Sequence, residues 1–127
     1  MSDESVSVLV VEDEDLICAL LKEILSPQFE CVTTSNATEA TRLIESRFFN
    51  LILADIVLPG MSGLELCRMV SKKSPRTVVV MISGVVDDKA VADATQAGAF
   101  DFITKPFDLA DVLATVERAL RRQSSQA

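Results

Sequence analysis

The chain has 127 residues, the size of one ordinary domain, and is 49% hydrophobic and 24% charged, which excludes a disordered tail or a fibrous repeat. Its formal net charge of −7 would repel a phosphate backbone, so direct nucleic-acid binding is not expected. The absence of His excludes Ser-His-Asp, Cys-His and His-metal chemistry.

No apolar run approaches the roughly 20 residues that span a bilayer, and no signal peptide is recognisable. Cys18, Cys31 and Cys67 form no C-x-x-C pair, which favours reduced thiols. A cytoplasmic protein without membrane contacts is therefore expected.

Three short, nearly continuous apolar runs rich in Val and Ile predict buried strands at residues 6–11, 51–54 and 77–82, and two less apolar runs predict strands at 29–33 and 100–104. Apolar residues at helical spacing follow each run and predict five helices with core-facing stripes. These stripes contain Leu16, Ile17, Leu20, Leu21 and Ile24; Ala40, Leu43 and Ile44; Leu64, Cys67 and Val70; Ala90, Val91, Ala94 and Ala97; and Leu109, Val112, Leu113, Val116 and Leu120.

Strands that alternate with helices indicate an α/β fold, with a single parallel sheet covered by helices on both faces. We expect one domain over residues 1–127, with a core at about 6–122 and frayed ends or linker at 1–5 and 123–127. Asn36 with Glu39, and Ser62 with Glu65, have the spacing of capping boxes. Gly98 is suited to the position after a helix end, where the backbone often adopts a left-handed conformation.

Reactive side chains follow four of the five predicted strands. Glu12 and Asp13 follow the first strand, Asp55 the third, Ser83 the fourth and Lys105 the fifth. Ligands of open parallel sheets bind at the carboxyl ends of the strands, so we expect these groups at one edge.

Three clustered carboxylates would repel one another without a cation, and oxygen ligands alone favour Mg²⁺. With Ser83 and Lys105 added, the set suits phosphoryl transfer, in which a carboxylate can be the nucleophile. Simpler roles remain open for single residues, since Asp13 could cap the first helix and Asp55 could form a turn.

Four blocks of the sequence resemble the receiver domain of bacterial two-component response regulators, including the chemotaxis regulator. They are VLVVEDED at 8–15, LILADIVLPGMSG at 51–63, VVMISG at 79–84 and FDFITKPF at 100–107. The resemblance implies a doubly wound, flavodoxin-like (βα)5 fold with strand order 2-1-3-4-5.

The resemblance also assigns roles at the acidic site. It implies that Asp55 is phosphorylated by a sensor histidine kinase or a phosphotransfer protein. It implies that Mg²⁺ is bound by Asp13, Asp55 and the backbone carbonyl of Val57, with Glu12 acting mainly through water. Lys105 would pair with the phosphoryl group.

By the same resemblance, Ser83 would move to hydrogen-bond the phosphoryl group and Phe102 would be an aromatic switch. The peptide bond before Pro106 would be cis. The domain would modify itself rather than turn over a substrate, and would control an output domain or a downstream protein. A homodimer could form through the fourth helix, fifth strand and fifth helix.

Two departures from the family pattern and two further positions bear on the site. The first acidic position is Glu12 rather than Asp, which should keep the metal site. Gly84 stands where Ala is frequent. Val57 and Val85 flank the approach of water to the acceptor in the family and are both apolar, so slow self-dephosphorylation is expected.

Other functions remain open. Asp13-Glu14-Asp15 is similar to the D-x-D motif of haloacid-dehalogenase-type phosphatases, which would make Asp13 the nucleophile and leave Asp55 without a role. A receiver that is never phosphorylated and only binds partners is a second alternative. A flavin-binding fold is a weaker third one, because no phosphate-binding loop follows the first strand.

Overall fold

The computed structural model describes residues 6–84 and 87–125. Strands and helices alternate along the chain, as the apolar runs predict. The elements are β1 (Ser7–Val11), α1 (Asp15–Leu25), β2 (Glu30–Thr34), α2 (Ala37–Ser46), β3 (Leu51–Asp55), α3 (Gly63–Lys73), β4 (Val78–Ser83), α4 (Asp88–Ala97), β5 (Asp101–Thr104) and α5 (Leu109–Ser124).

The five strands form one parallel sheet in the order β2-β1-β3-β4-β5. This confirms the expected α/β class and the strand order that the resemblance implied. The winding reverses between β1 and β3, which are direct neighbours with Val11 opposite Ala54. The first and third strands therefore end side by side at the centre of the sheet.

Side chains of each strand alternate between two separate cores. One core lies under α2, α3 and α4 and contains Leu9 and Val11 of β1. The other lies under α1 and α5 and contains Val8 and Val10. Because both faces are covered, β1, β3 and β4 are buried along their whole length, which explains their nearly continuous apolar sequences.

Helix ends agree with the capping signals, with one difference. Ser62 and Glu65 form the predicted capping box, and Gly98 adopts a φ of 107° after α4. At α2 the Asn36 side chain accepts the Glu39 N–H, but the Glu39 carboxylate accepts the Thr34 hydroxyl instead of completing the box. Glu39 thus ties α2 to the end of β2.

The core face of α1 differs from the predicted stripe. Leu21 and Leu25 are fully buried, whereas Leu16 and Leu20 are 80% and 42% exposed. Residues spaced by four lie about 40° apart around the helix, so the row of Leu16, Leu20 and Ile24 turns towards the core and only Ile24 packs against it, as Ile17 does. Among the other stripe residues, Val91 and Leu109 are also exposed.

The last helix extends beyond the expected core boundary at residue 122. It reaches Ser124, because Gln123 is buried and its Oε1 accepts a hydrogen bond from Nδ2 of Asn50 at 3.1 Å. Residues 1–5 and 126–127, for which frayed ends were expected, lie outside the described residues. Within the described part of the chain, no helix is long and apolar enough to cross a membrane.

Candidate functional site

Three carboxylates meet where β1 and β3 end. Glu12 directly follows β1 and is 1% exposed, and Asp55 is the last residue of β3 and is 6% exposed. Asp13 is exposed. Each of the three offers a carboxylate oxygen within 4.8 Å of the others, so the predicted acidic cluster is present.

Glu12 is held with its carboxylate turned into the protein. Its N–H donates to the Thr34 carbonyl at 3.0 Å, and its Oε2 accepts the Glu14 N–H at 3.1 Å. Its buried Oε1 lies 3.1 Å from Nζ of Lys105, but no group in the described ranges donates a well-oriented hydrogen bond to it. Burial raises the pKa of Glu12, partly offset by these hydrogen-bond donors.

Asp55 is positioned by the backbone around it. Its Oδ1 accepts the Val57 N–H at 2.9 Å, and its Oδ2 lies 2.6 Å from Nζ of Lys105. The hydrogen bond from Val57 forms the local turn that was considered as a simpler role for Asp55. The turn engages Oδ1 and leaves Oδ2 to face the Lys105 ammonium. The turn and the functional role are therefore compatible.

Among the described residues, Lys105 is the positively charged side chain that contacts the carboxylates of Glu12 and Asp55. Its N–H donates to the Ser83 carbonyl at 2.8 Å, which extends the pairing of β4 with β5, and the peptide bond to Pro106 is cis. Burial disfavours the charged form of Lys105, but hydrogen bonds to Asp55, Glu14 and Glu12 outweigh burial and raise the pKa. The ammonium is therefore charged throughout the physiological range.

Ser83 lies on β4, and Phe102 lies on the neighbouring strand β5. Ser83 is the last residue of β4, is 5% exposed and pairs with Thr104. Phe102 pairs with Met81 on the same strands and is half-buried against the core under α2, α3 and α4. A depression of about 120 Å³, lined in part by Val91 and Phe102, lies between α4 and β5.

The donor set fits a hard divalent cation. Three carboxylates supply oxygen ligands only, and Oε1 of Glu12 is a buried oxygen without an oriented donor. Such a set suits Mg²⁺. The Val57 carbonyl stays a predicted ligand. The hydrogen bond between Val57 and Asp55 uses the N–H of Val57 and not its carbonyl oxygen.

The structure does not support the capping role considered for Asp13. Glu14, not Asp13, occupies the N-cap position of α1, so Asp13 is free of a capping role. Asp15 is the first residue of α1 and is exposed, outside the cluster of Glu12, Asp13 and Asp55. Val85, expected with Val57 to flank the acceptor, lies outside the described residues.

Two residues of the site were not predicted. Oε1 of Glu14 accepts a hydrogen bond from Nζ of Lys105 at 2.8 Å. Gly63 packs against the backbone of Asp55, where an added Cβ would lie 2.0 Å from the Asp55 carbonyl oxygen. The Glu14 contact joins segments 91 residues apart, and the adjacency of Glu14 to Glu12 and Asp13 was its available signal. Gly63 lies within the family-like block at 51–63, but that block did not show its contact with Asp55.

Comparison with known proteins agrees with this geometry. Residues 8–117 match the response regulator receiver domain family. The DNA-binding transcriptional regulator NtrC of Escherichia coli is 34% identical over 120 residues, which cover 94% of this chain and 26% of that protein. The chain thus spans about a quarter of the length of this curated relative.

Solved structures show the same fold. A CheY-like response regulator receiver domain protein from Methanospirillum hungatei is 31% identical, with a TM-score of 0.92 over 98% of this chain and all of that one (100%). A signal receiver domain of an HD domain-containing protein from Pseudomonas fluorescens is 27% identical, with a TM-score of 0.93 over 99% of this chain and 94% of that one. The chain belongs to the response regulator receiver domain family, and is a signalling domain of two-component systems.

Proposed function

We propose that Asp55 accepts a phosphoryl group from a sensor histidine kinase or a phosphotransfer protein, in a Mg²⁺-dependent reaction. The observation that carries the proposal is the placement of Asp55. Its Oδ2 lies 2.6 Å from the Lys105 ammonium, and its carboxylate shares an acidic cluster with Glu12 and Asp13. Membership of the receiver family supports the same role.

These contacts support the following reaction. A carboxylate oxygen of Asp55 attacks the phosphorus, the phosphorus–nitrogen bond of the donor breaks, and an acyl phosphate forms on Asp55. Glu12 and Asp13 would hold Mg²⁺ together with Asp55 and the Val57 carbonyl. When bound, the ion supplies positive charge that stabilises the phosphoryl oxygens. Lys105 pairs with a phosphoryl oxygen, and Ser83 donates a hydrogen bond to another.

Phosphorylation is proposed to change the conformation of the surface formed by α4, β5 and α5. Ser83 moves towards the phosphoryl group, and Phe102 turns into the space beside it. This is a shift between two packings of one fold. The depression between α4 and β5 provides room for such repacking. The same surface could form a homodimer.

The wider assignment rests on the relatives. We propose that residues 1–127 form one receiver domain that modifies only itself, without turnover of another substrate, and that it acts in the cytoplasm. NtrC is described as a DNA-binding transcriptional regulator, so the proposed partner is an output domain or a downstream protein. This domain itself, with a net charge of −7, is not proposed to bind nucleic acid or membrane.

Intact-mass spectrometry tests the proposal. Incubation with acetyl phosphate and Mg²⁺ should add one phosphoryl group to the protein, and Asp55→Asn should take up none while keeping its circular dichroism spectrum. Omission of Mg²⁺ should also prevent the addition. Absence of a phosphoryl group on the unsubstituted protein would overturn the proposal and favour a domain that only binds partners.

A further inference from the structure

Glu14 links two loops that carry the site. It occupies the N-cap position of α1 with extended backbone angles (φ −85°, ψ 113°), but its side chain caps no N–H of that helix. Instead, its Oε1 accepts a hydrogen bond from Nζ of Lys105, 91 residues away, at 2.8 Å. The side chain is therefore directed across the mouth of the site.

The Lys105 ammonium is surrounded by carboxylates. It donates hydrogen bonds to Asp55 and Glu14 and forms an ion pair with Glu12. The ammonium has three donors, and three carboxylates lie within reach: Asp55 at 2.6 Å, Glu14 at 2.8 Å and Glu12 at 3.1 Å. An incoming phosphoryl group that pairs with Lys105 therefore competes with these carboxylates.

Exposure identifies which partner can be displaced. The side chain of Glu14 is 61% exposed, against 0% for Glu12 and 8% for Asp55. A released Glu14 carboxylate is solvated by water, whereas release of Glu12 would leave a buried charge without its cation, which is costly. Displacement of Glu14 from Lys105 by a phosphoryl group therefore costs the least free energy.

We propose that Glu14 is a positioning residue, which holds the Lys105 ammonium at the mouth of the site until a phosphoryl group displaces it. The inference rests on the proposed function, since it concerns phosphoryl transfer to Asp55. Glu14 slows this transfer in the resting protein because the phosphoryl group competes with a formed, charge-assisted hydrogen bond.

A double-mutant cycle separates this effect from simple charge repulsion. Glu14→Gln keeps the shape but removes the charge, and should speed phosphoryl uptake from acetyl phosphate about fivefold, the scale of one close charge interaction in water. In a Lys105→Ala background the same substitution should change the rate less than about twofold, because the partner is absent.

Asp15→Asn is the matched control. Asp15 is the next carboxylate on the exposed side of the chain, and the carboxylates within reach of Lys105 Nζ in the described residues are Glu12, Glu14 and Asp55. An equal acceleration in Asp15→Asn, or an undiminished effect of Glu14→Gln without Lys105, would show repulsion alone and overturn the inference.

A second measurement does not require phosphoryl transfer. Hydrogen exchange of the Lys105 ammonium, followed by ¹⁵N NMR, should be faster in Glu14→Gln and unchanged in Asp15→Asn. Unchanged exchange in Glu14→Gln, with normal phosphorylation of the unsubstituted protein, would overturn this inference and leave the proposed function standing. Failure of the unsubstituted protein to take up a phosphoryl group would overturn both.

Discussion

Nζ of Lys105 lies 2.6 Å from Oδ2 of Asp55, although the two residues are 50 positions apart. The pair joins the ends of β3 and β5, which flank β4 in the sheet. It places a cation beside a buried carboxylate that ends a central strand. This contact is what makes the acidic cluster a candidate for phosphoryl transfer rather than a metal site alone.

Mg²⁺ should stabilise the folded protein. Folding assembles the carboxylates of Glu12, Asp13 and Asp55, so the ion binds the native state in preference. At about 100 times its Kd it would add roughly 2.7 kcal/mol to the free energy of unfolding, a rise of several degrees in Tm. Thermal melts with and without millimolar Mg²⁺ measure this.

Asp13→Asn should remove most of that response, since it deletes one ligand. Asp15→Asn, two residues along and outside the cluster, should retain it. A Tm that ignores Mg²⁺, or two variants that respond alike, would contradict the assignment of the metal site.

Gly63 should not tolerate a side chain. A Cβ there would lie 2.0 Å from the Asp55 carbonyl oxygen, whereas a Cβ on Gly84 would have its nearest neighbour, Cβ of Lys105, at 4.0 Å. Gly63→Ala should lower the free energy of unfolding by about 2 kcal/mol and slow phosphorylation of the displaced Asp55.

Gly84→Ala is the control for that substitution and should change stability by less than about 0.5 kcal/mol. Urea unfolding curves give both values. Equal stability of the two variants would show that the backbone of Asp55 moves freely away from α3.

Val57 should lengthen the life of the phosphorylated state. Its N–H donates to Oδ1 of Asp55, and the residue is 74% exposed, but its side chain cannot hydrogen-bond an attacking water. Val57→Asn should speed loss of the phosphoryl group about tenfold, which corresponds to roughly 1.4 kcal/mol of barrier.

The control for that variant is Val57→Ala, which reduces size without adding a polar group. The measurement is decay of the phosphoprotein after donor removal at constant Mg²⁺. If the alanine and asparagine variants decay at the same rate, access of water rather than its orientation limits the reaction.

Cys31 and Cys67 should react slowly with alkylating agents. Burial raises the pKa of both thiols to about 11, because it disfavours the charged thiolate. At about pH 8 the thiolate fraction is then roughly 0.001, against about a quarter at an unperturbed pKa. Reaction with iodoacetamide should therefore be at least about 100-fold slower in the native protein than in the unfolded one.

The rate of alkylation should rise about tenfold per pH unit up to about pH 11, because only the thiolate reacts. Mass spectrometry of alkylated peptides follows each thiol separately. Labelling of both residues at the unfolded rate would show that neither thiol is shielded.

Periodicity and strand-end chemistry predicted the fold class and most of the site. Val-rich runs marked β1 and β4, and the position of Asp55 after an apolar run predicted a carboxylate at the sheet edge. The predicted stripe of α1 was wrong at Leu16 and Leu20, which repeat at helical spacing without facing the core, whereas Leu21 is buried as predicted. Glu14 and Gly63 were missed because their contacts depend on the path of loops that no local pattern encodes.

Phosphorylation of Asp55 is tested by locating the phosphoryl group within the chain. Borohydride reduction converts a phosphorylated aspartate into homoserine, which tandem mass spectrometry then assigns to one residue. After incubation with acetyl phosphate and Mg²⁺, we predict homoserine at position 55, in place of Asp55. Homoserine at position 13, in place of Asp13, would contradict this account and support the phosphatase-type mechanism.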